Sequence, residues 1–161
     1  MVWLGDGMRL SRKADYALRV MFTLVDRWGQ GPVSMTALAK KNDVPKRFLE
    51  HIMLDLKSKG WVDSSPGRAG GYFLAVPPEK ITLGQIVRHF DGALAPVGCV
   101  SLTDPQPCSQ STSCRFRRVM LDIRNLTARH MDTETLAKVA AGQPVGEAEL
   151  LTLGFTGGEG I

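Results

Sequence analysis

Three cysteines, Cys99, Cys108 and Cys114, are the only ones in 161 residues, and they fall within one short stretch spaced Cys-x8-Cys-x5-Cys. Around them, residues 93–114 read as a loop, with Pro96, Gly98, Pro105 and Pro107 among Ser, Thr and Gln. Cysteine commonly serves as a small buried apolar residue. Core packing explains poorly why all three sit in the least apolar part of the chain. An odd count disfavours a disulfide framework. Structural zinc usually takes four ligands, often as close Cys-x2-Cys pairs, and no such pair is present. Thiolates are soft ligands suited to iron–sulfur clusters. Three of them reach three irons of a cubane, or three of the four protein positions on a two-iron cluster, and leave one ligand to come from elsewhere. Cluster binding, zinc binding and redox-active thiols all remain open on spacing alone.

The elements on either side must position this loop. After Pro77-Pro78, Thr82 is placed to cap a short helix with Leu83, Ile86, Val87 and Phe90 on one face, ending at Gly92. Beyond the loop, a long helix is expected from about Arg115 to Met131. Phe116, Val119, Met120, Ile123 and Leu126 form an apolar stripe at helical spacing. Arg117, Arg118, Asp122, Arg124 and Arg129 are assigned to its wet face. Such a stripe must pack on something, and a partner subunit is as good a candidate as the domain's own core. A further short helix, Thr133 to Ala141, ends at Gly142, and residues 143–161 form a glycine-rich tail with little pattern.

The stretch Ser34 to Leu74 organises the rest. A short helix (Met35 to Lys41), a polar turn at Asn42-Asp43 and a second helix from Pro45 to Lys59 are expected in turn. Proline costs no intrahelical hydrogen bond at a helix start, and Gly60 is a usual residue just past a helix end. Two β-prone runs follow, Trp61-Val62-Asp63 and Tyr72-Phe73-Leu74, around a turn-rich tip that carries Arg68. Helix, turn, helix, hairpin is the order of a winged helix-turn-helix, here preceded by a helix from Arg9 to Arg27 with Ser11 as its N-cap. On the second helix of the motif, Phe48, Leu49, Ile52, Met53 and Leu56 cover one side at 100° per residue. Arg47, Glu50 and His51 share the other, flanked by Lys46. With Arg68, these are the expected DNA-contacting residues. Leu54 falls among the polar residues, and the pattern does not explain it.

Charge follows the same division. The chain carries a net +4, yet residues 8–72 hold 12 Lys/Arg against 6 Asp/Glu and the remainder is slightly acidic. Phosphate attraction requires a surplus on that segment. No apolar run approaches the ~20 residues needed to cross a bilayer. The first seven residues lack the features of a signal peptide, so a cytoplasmic, reducing setting without membrane contact is expected. His51, His89 and His130 lie on separate helices without a nucleophile–base motif, and no enzyme is expected.

At this point the sequence resembles the Rrf2 family of bacterial winged-helix regulators, whose members include iron–sulfur regulators, nitric-oxide sensors and iron regulators. The resemblance runs from Met8 to about Gly142. It rests on residues 8–19 (MRLSRKADYALR), on Phe48-Leu49-Glu50, on residues 67–72 (GRAGGY), on Ile81-Thr82-Leu83, and on a three-cysteine loop before a long helix. It implies a homodimer crossing its long helices and binding palindromic double-stranded DNA. It also implies a 2Fe–2S or 4Fe–4S cluster on Cys99, Cys108 and Cys114. The first cysteine gap is longer than the family's usual one, and the wing has Pro66 before Gly67 with its arginine at Arg68. Where some members carry a histidine ligand, this chain has Arg117. Asp15 matches an aspartate that nitric-oxide-sensing members donate across the dimer, with Asp104 as a local alternative.

The expected fold is mainly α with a small β-wing. Residues 1–7 are an N-terminal extension, 8–81 a winged helix-turn-helix, and 82–114 the connecting helix and cysteine loop. Residues 115–142 are a dimerisation helix with a short C-terminal helix, and 143–161 a flexible tail. The expected function is a DNA-binding regulator, a repressor, controlled by a cluster that senses iron, redox state or nitric oxide. Alternatives are a cluster-free thiol- or partner-responsive member of the family and a zinc-stapled interaction module.

Overall fold

The first helix, α1 (Arg12–Val25), begins where its cap dictates in this computed structural model, which describes residues 9–92 and 94–152. Ser11 is extended, and its hydroxyl accepts from the Ala14 N–H at 3.1 Å. The helix therefore starts at Arg12 rather than Arg9. α2 (Met35–Asn42) is capped in the same way by Ser34 and ends at Asp43, which sits in the left-handed region at φ 52°. Aspartate is one of the few non-glycine types that tolerate this conformation. The reversal admits α3 (Lys46–Ser58), whose Leu49, Ile52, Met53 and Leu56 are fully buried. Phe48 departs from the sequence expectation. It remains 41% exposed and stacks edge-on against Tyr16 of α1, with ring centroids 5.6 Å apart.

β1 (Val62–Ser65) and β2 (Gly71–Leu74) pair antiparallel, Val62 opposite Leu74 and Ser65 opposite Gly71. Val33 adds a single bridge on the other edge of β2, exchanging two 2.8 Å backbone hydrogen bonds with Tyr72. A Cβ at Gly71 would stand 2.3 Å from the Val33 carbonyl oxygen, so only glycine permits this close approach. The winged unit is thus closed onto the segment before α2.

α4 (Leu83–Asp91) opens with a full capping box between Thr82 and Gln85. α5 (Phe116–Thr133) is the longest helix and buries no residue completely. α6 (Leu136–Ala140) returns to the winged unit. The Leu136 N–H donates to the Ile81 carbonyl at 2.8 Å, and Leu136 is fully buried in the core with Met21, Leu24, Ile81 and Ile86. In packing terms, α6 therefore belongs with the first 81 residues as much as with α5. The tail, expected without pattern, forms α7 (Glu147–Thr152), while the N-terminal extension and the last residues of the tail lie outside the described residues. Among the described residues no helix is long and apolar enough to cross a membrane.

Candidate nucleic-acid interface and cysteine loop

α3 turns Lys46, Arg47, Glu50 and His51 to solvent on the side opposite the core. None of the four makes an ion pair or side-chain hydrogen bond among the described residues, nor does Arg68 at the wing tip. Their donors and acceptors are therefore available to a ligand. Pro45 provides no side-chain cap, so the Lys46 and Arg47 N–H groups have no capping partner, while the Phe48 N–H donates to the Pro45 carbonyl at 2.9 Å. A helix start of this kind, beside Lys46 and Arg47, suits a phosphate.

The interface is braced from behind. Lys13 of α1 pairs with Asp55 of α3 at 2.6 Å and lies over the Phe90 ring. Lys57, in the last turn of α3, pairs with Asp63 at 2.8 Å and donates to the Ser64 hydroxyl at 2.7 Å. This holds Asp63 below the usual carboxylate range, chiefly through the Lys57 hydrogen bond. These contacts bridge the end of α3 to the first strand of the wing.

Cys99, Cys108 and Cys114 are all free thiols on the loop between α4 and α5. Cys108 is exposed and the others are half-buried. Arg117, three residues after Cys114, forks between two loop carbonyls, donating to Cys99 O and Ser111 O at 2.9 Å each. Arg124 donates to Val100 O at 2.7 Å. Both were assigned to the wet face of α5. They sit seven residues apart on one helical face and turn inward instead, and their i, i+7 spacing was the signal available in the sequence. Arg118 and Asp122 do stay outside, 3.4 Å apart.

The loop closes locally through Asp104, whose carboxylate accepts from Gln106 Nε2 at 2.9 Å, and through the Gln106 N–H, which donates to Gly98 O. Asp15 lies on α1, where Arg19 donates to both of its oxygens, Nε at 3.0 Å and Nη2 at 2.7 Å. That pairing raises the Arg19 pKa further. As a donor set, three free thiols suit iron or zinc. Among the described residues, however, no three His, Cys, Asp or Glu side chains are gathered around a common point. The loop would have to draw together to hold a metal.

α5 offers the remaining surface. Phe116, Val119 and Leu126 are 62%, 54% and 64% exposed, so the apolar stripe seen in the sequence is left largely uncovered within one protomer.

Comparison with known proteins accounts for this assembly. The Rrf2 family, described as iron-dependent transcriptional regulators, matches residues 10–142. A putative HTH-type transcriptional regulator rrf2-like of Rhodobacter capsulatus is 36% identical over 84% of this chain and 95% of its own length. The structure of CymR, the global cysteine regulator of B. subtilis, superposes with a TM-score of 0.70 at 28% identity, over 84% of this chain and 98% of that one. IscR of T. potens superposes with a TM-score of 0.65 at 27% identity, over 86% of this chain and 93% of that one.

Proposed function

The chain belongs to the Rrf2 family of DNA-binding transcriptional regulators rather than to a family of enzymes, and from that premise we propose that it is a cytoplasmic homodimeric repressor controlled by an iron–sulfur cluster. In this reading the dimer binds a palindromic operator. Its two α3 helices enter the major groove about one duplex turn apart, ~34 Å, or a multiple of it. Arg47, Glu50 and His51 read base edges, while Lys46 and Arg68 add phosphate or minor-groove contacts. Cys99, Cys108 and Cys114 hold a 2Fe–2S or 4Fe–4S cluster, and Asp15 donated across the dimer completes it. The bound cluster would supply a centre that responds to iron supply, oxidation or nitric oxide. Arg117 and Arg124 keep the loop carbonyls in place so that the thiols can close on it.

The observation that carries the reading is the placement of all three free thiols on one arginine-braced loop, outside the hydrophobic core. A second reading, a cluster-free regulator that responds through its thiols or a protein partner, is favoured by two features: among the described residues no three ligands are gathered, and Cys108 is exposed. The likeness to CymR, a cysteine regulator, supports the same reading.

Anaerobic isolation separates the two. A brown protein with visible absorbance, stoichiometric iron and sulfide, and operator affinity that changes when the chromophore is lost supports the cluster. Colourless protein whose operator affinity tracks thiol oxidation supports the second reading, and colourless protein carrying zinc overturns both.

A further inference from the structure

Leu54 stands 62% exposed on α3, while its neighbour Met53 and the other inward-facing residues of the helix are fully buried. It lies outside the hydrophobic cluster that holds the domain together, so the fold does not require a leucine there. At about 100° per residue, its side chain projects about 20° from Arg47, about 40° from Glu50 and about 60° from His51. It is therefore near the centre of the face proposed to meet DNA. All three of those neighbours are exposed and carry hydrogen-bonding groups.

Leucine can neither donate nor accept a hydrogen bond, so phosphate and sugar contacts gain nothing from it. The polar base-edge groups that Arg47 or Glu50 could read are closed to it as well. The major groove offers one apolar feature, the methyl group at C5 of a pyrimidine. Dehydrating a large aliphatic side chain at the middle of a polar reading face is favourable only if it meets such a surface.

We propose that Leu54 is a specificity-determining residue that reads the 5-methyl group of a pyrimidine in the operator, thymine or 5-methylcytosine. The inference rests on the placement of α3 in the major groove. Seven residues separate Leu54 from Arg47, roughly 10 Å along the helix. That is about three base-pair steps at ~3.4 Å each, so the methyl lies within about three base pairs of the base met by Arg47.

The test uses the full chain and an operator selected from a random duplex pool. In binding titrations, each thymine of one half-site is replaced by uracil, which removes only the methyl group. Each cytosine is separately replaced by 5-methylcytosine, which adds one. At one position per half-site, the methyl-free base should bind about fourfold more weakly than the methylated one, the scale expected for one buried carbon. Leu54→Ala should bind the methylated duplex about as weakly and no longer distinguish the two. Circular dichroism confirms that this exposed substitution leaves the fold intact.

Discrimination through thymine or through 5-methylcytosine supports the proposal and identifies the source of the methyl. A parent protein insensitive to every methyl change, or a Leu54→Ala variant that keeps the discrimination, overturns it while sequence-selective binding by α3 stands. A Leu54→Ala variant that leaves all duplex binding unchanged overturns it too. A parent protein that selects no sequence overturns the DNA reading as well.

Discussion

Replacing Leu126 by aspartate tests the assembly without touching the protomer's core. Leu126 is 64% exposed on α5, in line with Phe116 and Val119. Within one protomer, a carboxylate there stays hydrated and should leave secondary structure intact. In a dimer built on this stripe the same position becomes dry. Fully burying a leucine contributes about 1.5–3 kcal/mol. Because roughly two thirds of the side chain is still exposed, about 1–2 kcal/mol of that is gained only on association. Desolvating a carboxylate without a partner adds at least about 1–2 kcal/mol more. Each protomer therefore loses about 3 kcal/mol and the dimer about 6 kcal/mol, or roughly four orders of magnitude in the dimer Kd. Sedimentation equilibrium over a wide concentration range reads this directly, with far-ultraviolet circular dichroism as the control for folding. A Leu126→Asp variant that dimerises with the parent's Kd would refute the assignment of α5 as the seam.

On the DNA face, Arg47→Ala should lower operator affinity by about 1–3 kcal/mol and relax base preference. Lys46→Ala should weaken all duplexes alike and reduce the salt slope by about one. Unchanged affinity in both would displace α3 from the groove. His89 makes a pH prediction. Its Nε2 is buried without a hydrogen-bond partner among the described residues, and its ring lies edge-on to Trp61 and Phe90. Burial first, then Lys59 and Lys13, holds its pKa below the ordinary 6.5, with Asp55 opposing. Since the folded pKa is depressed, the fold favours neutral imidazole. Stability is intact above about pH 6.5 and falls as pH drops below it towards the folded value. The thermal midpoint should decline between about pH 7 and pH 5.5, and His89→Phe should show a shallower decline. Arg117→Ala should leave the winged unit folded but accelerate loss of iron from anaerobically isolated protein, and Arg117→Lys should not restore it, because an ammonium does not reproduce the planar fork to two carbonyls. Asp15→Ala should retain iron with an altered visible spectrum, whereas Asp104→Ala should match the parent. The reverse result would put the fourth ligand in the loop.

What was legible in the sequence was local. Ser11 and Thr82 announce helix starts because each hydroxyl satisfies a backbone donor three residues away. Gly60 marks a helix end for a similarly local reason, its φ of +71°. The outward set Lys46, Arg47, Glu50 and His51 followed from periodicity alone. Contacts that span the chain were not legible. Phe48 sits at the edge of its apolar arc, and its position depends on Tyr16 in another helix. Leu136 enters the core by pairing its backbone with Ile81, 55 residues earlier. The shared face of Arg117 and Arg124 is readable from their i, i+7 spacing, but its inward turn depends on loop carbonyls, which carry no sequence signature. The arrangement of the thiols is hidden for the same reason, since composition names the donors and the loop's closure decides whether they meet.

The pairing of Asp15 with Arg19 bears on the proposed cluster in a way that magnitude decides. Both carboxylate oxygens are engaged, which at first sight withholds them from any metal. Yet the pair is an exposed i, i+4 contact on a helix surface. Such pairs contribute about 0.3–0.5 kcal/mol. Releasing the carboxylate therefore costs less than RT, while a bond to iron gains far more. The ion pair orients Asp15 without holding it back. The two carboxylate candidates differ instead in what their bonds would join. Asp104 is tied into the loop through Gln106, so a bond from it would join the loop to itself. Asp15 lies one turn past Ser11, whose N–H and hydroxyl both donate to Asp91, at the end of the helix that leads into the loop. A bond from Asp15 would tie the metal to α1, which shares the buried core with α3 through residues such as Met21 and Leu49. That second arrangement would join a change at the thiols to the helix packed behind the DNA-facing one, which is the coupling the proposed regulator would use.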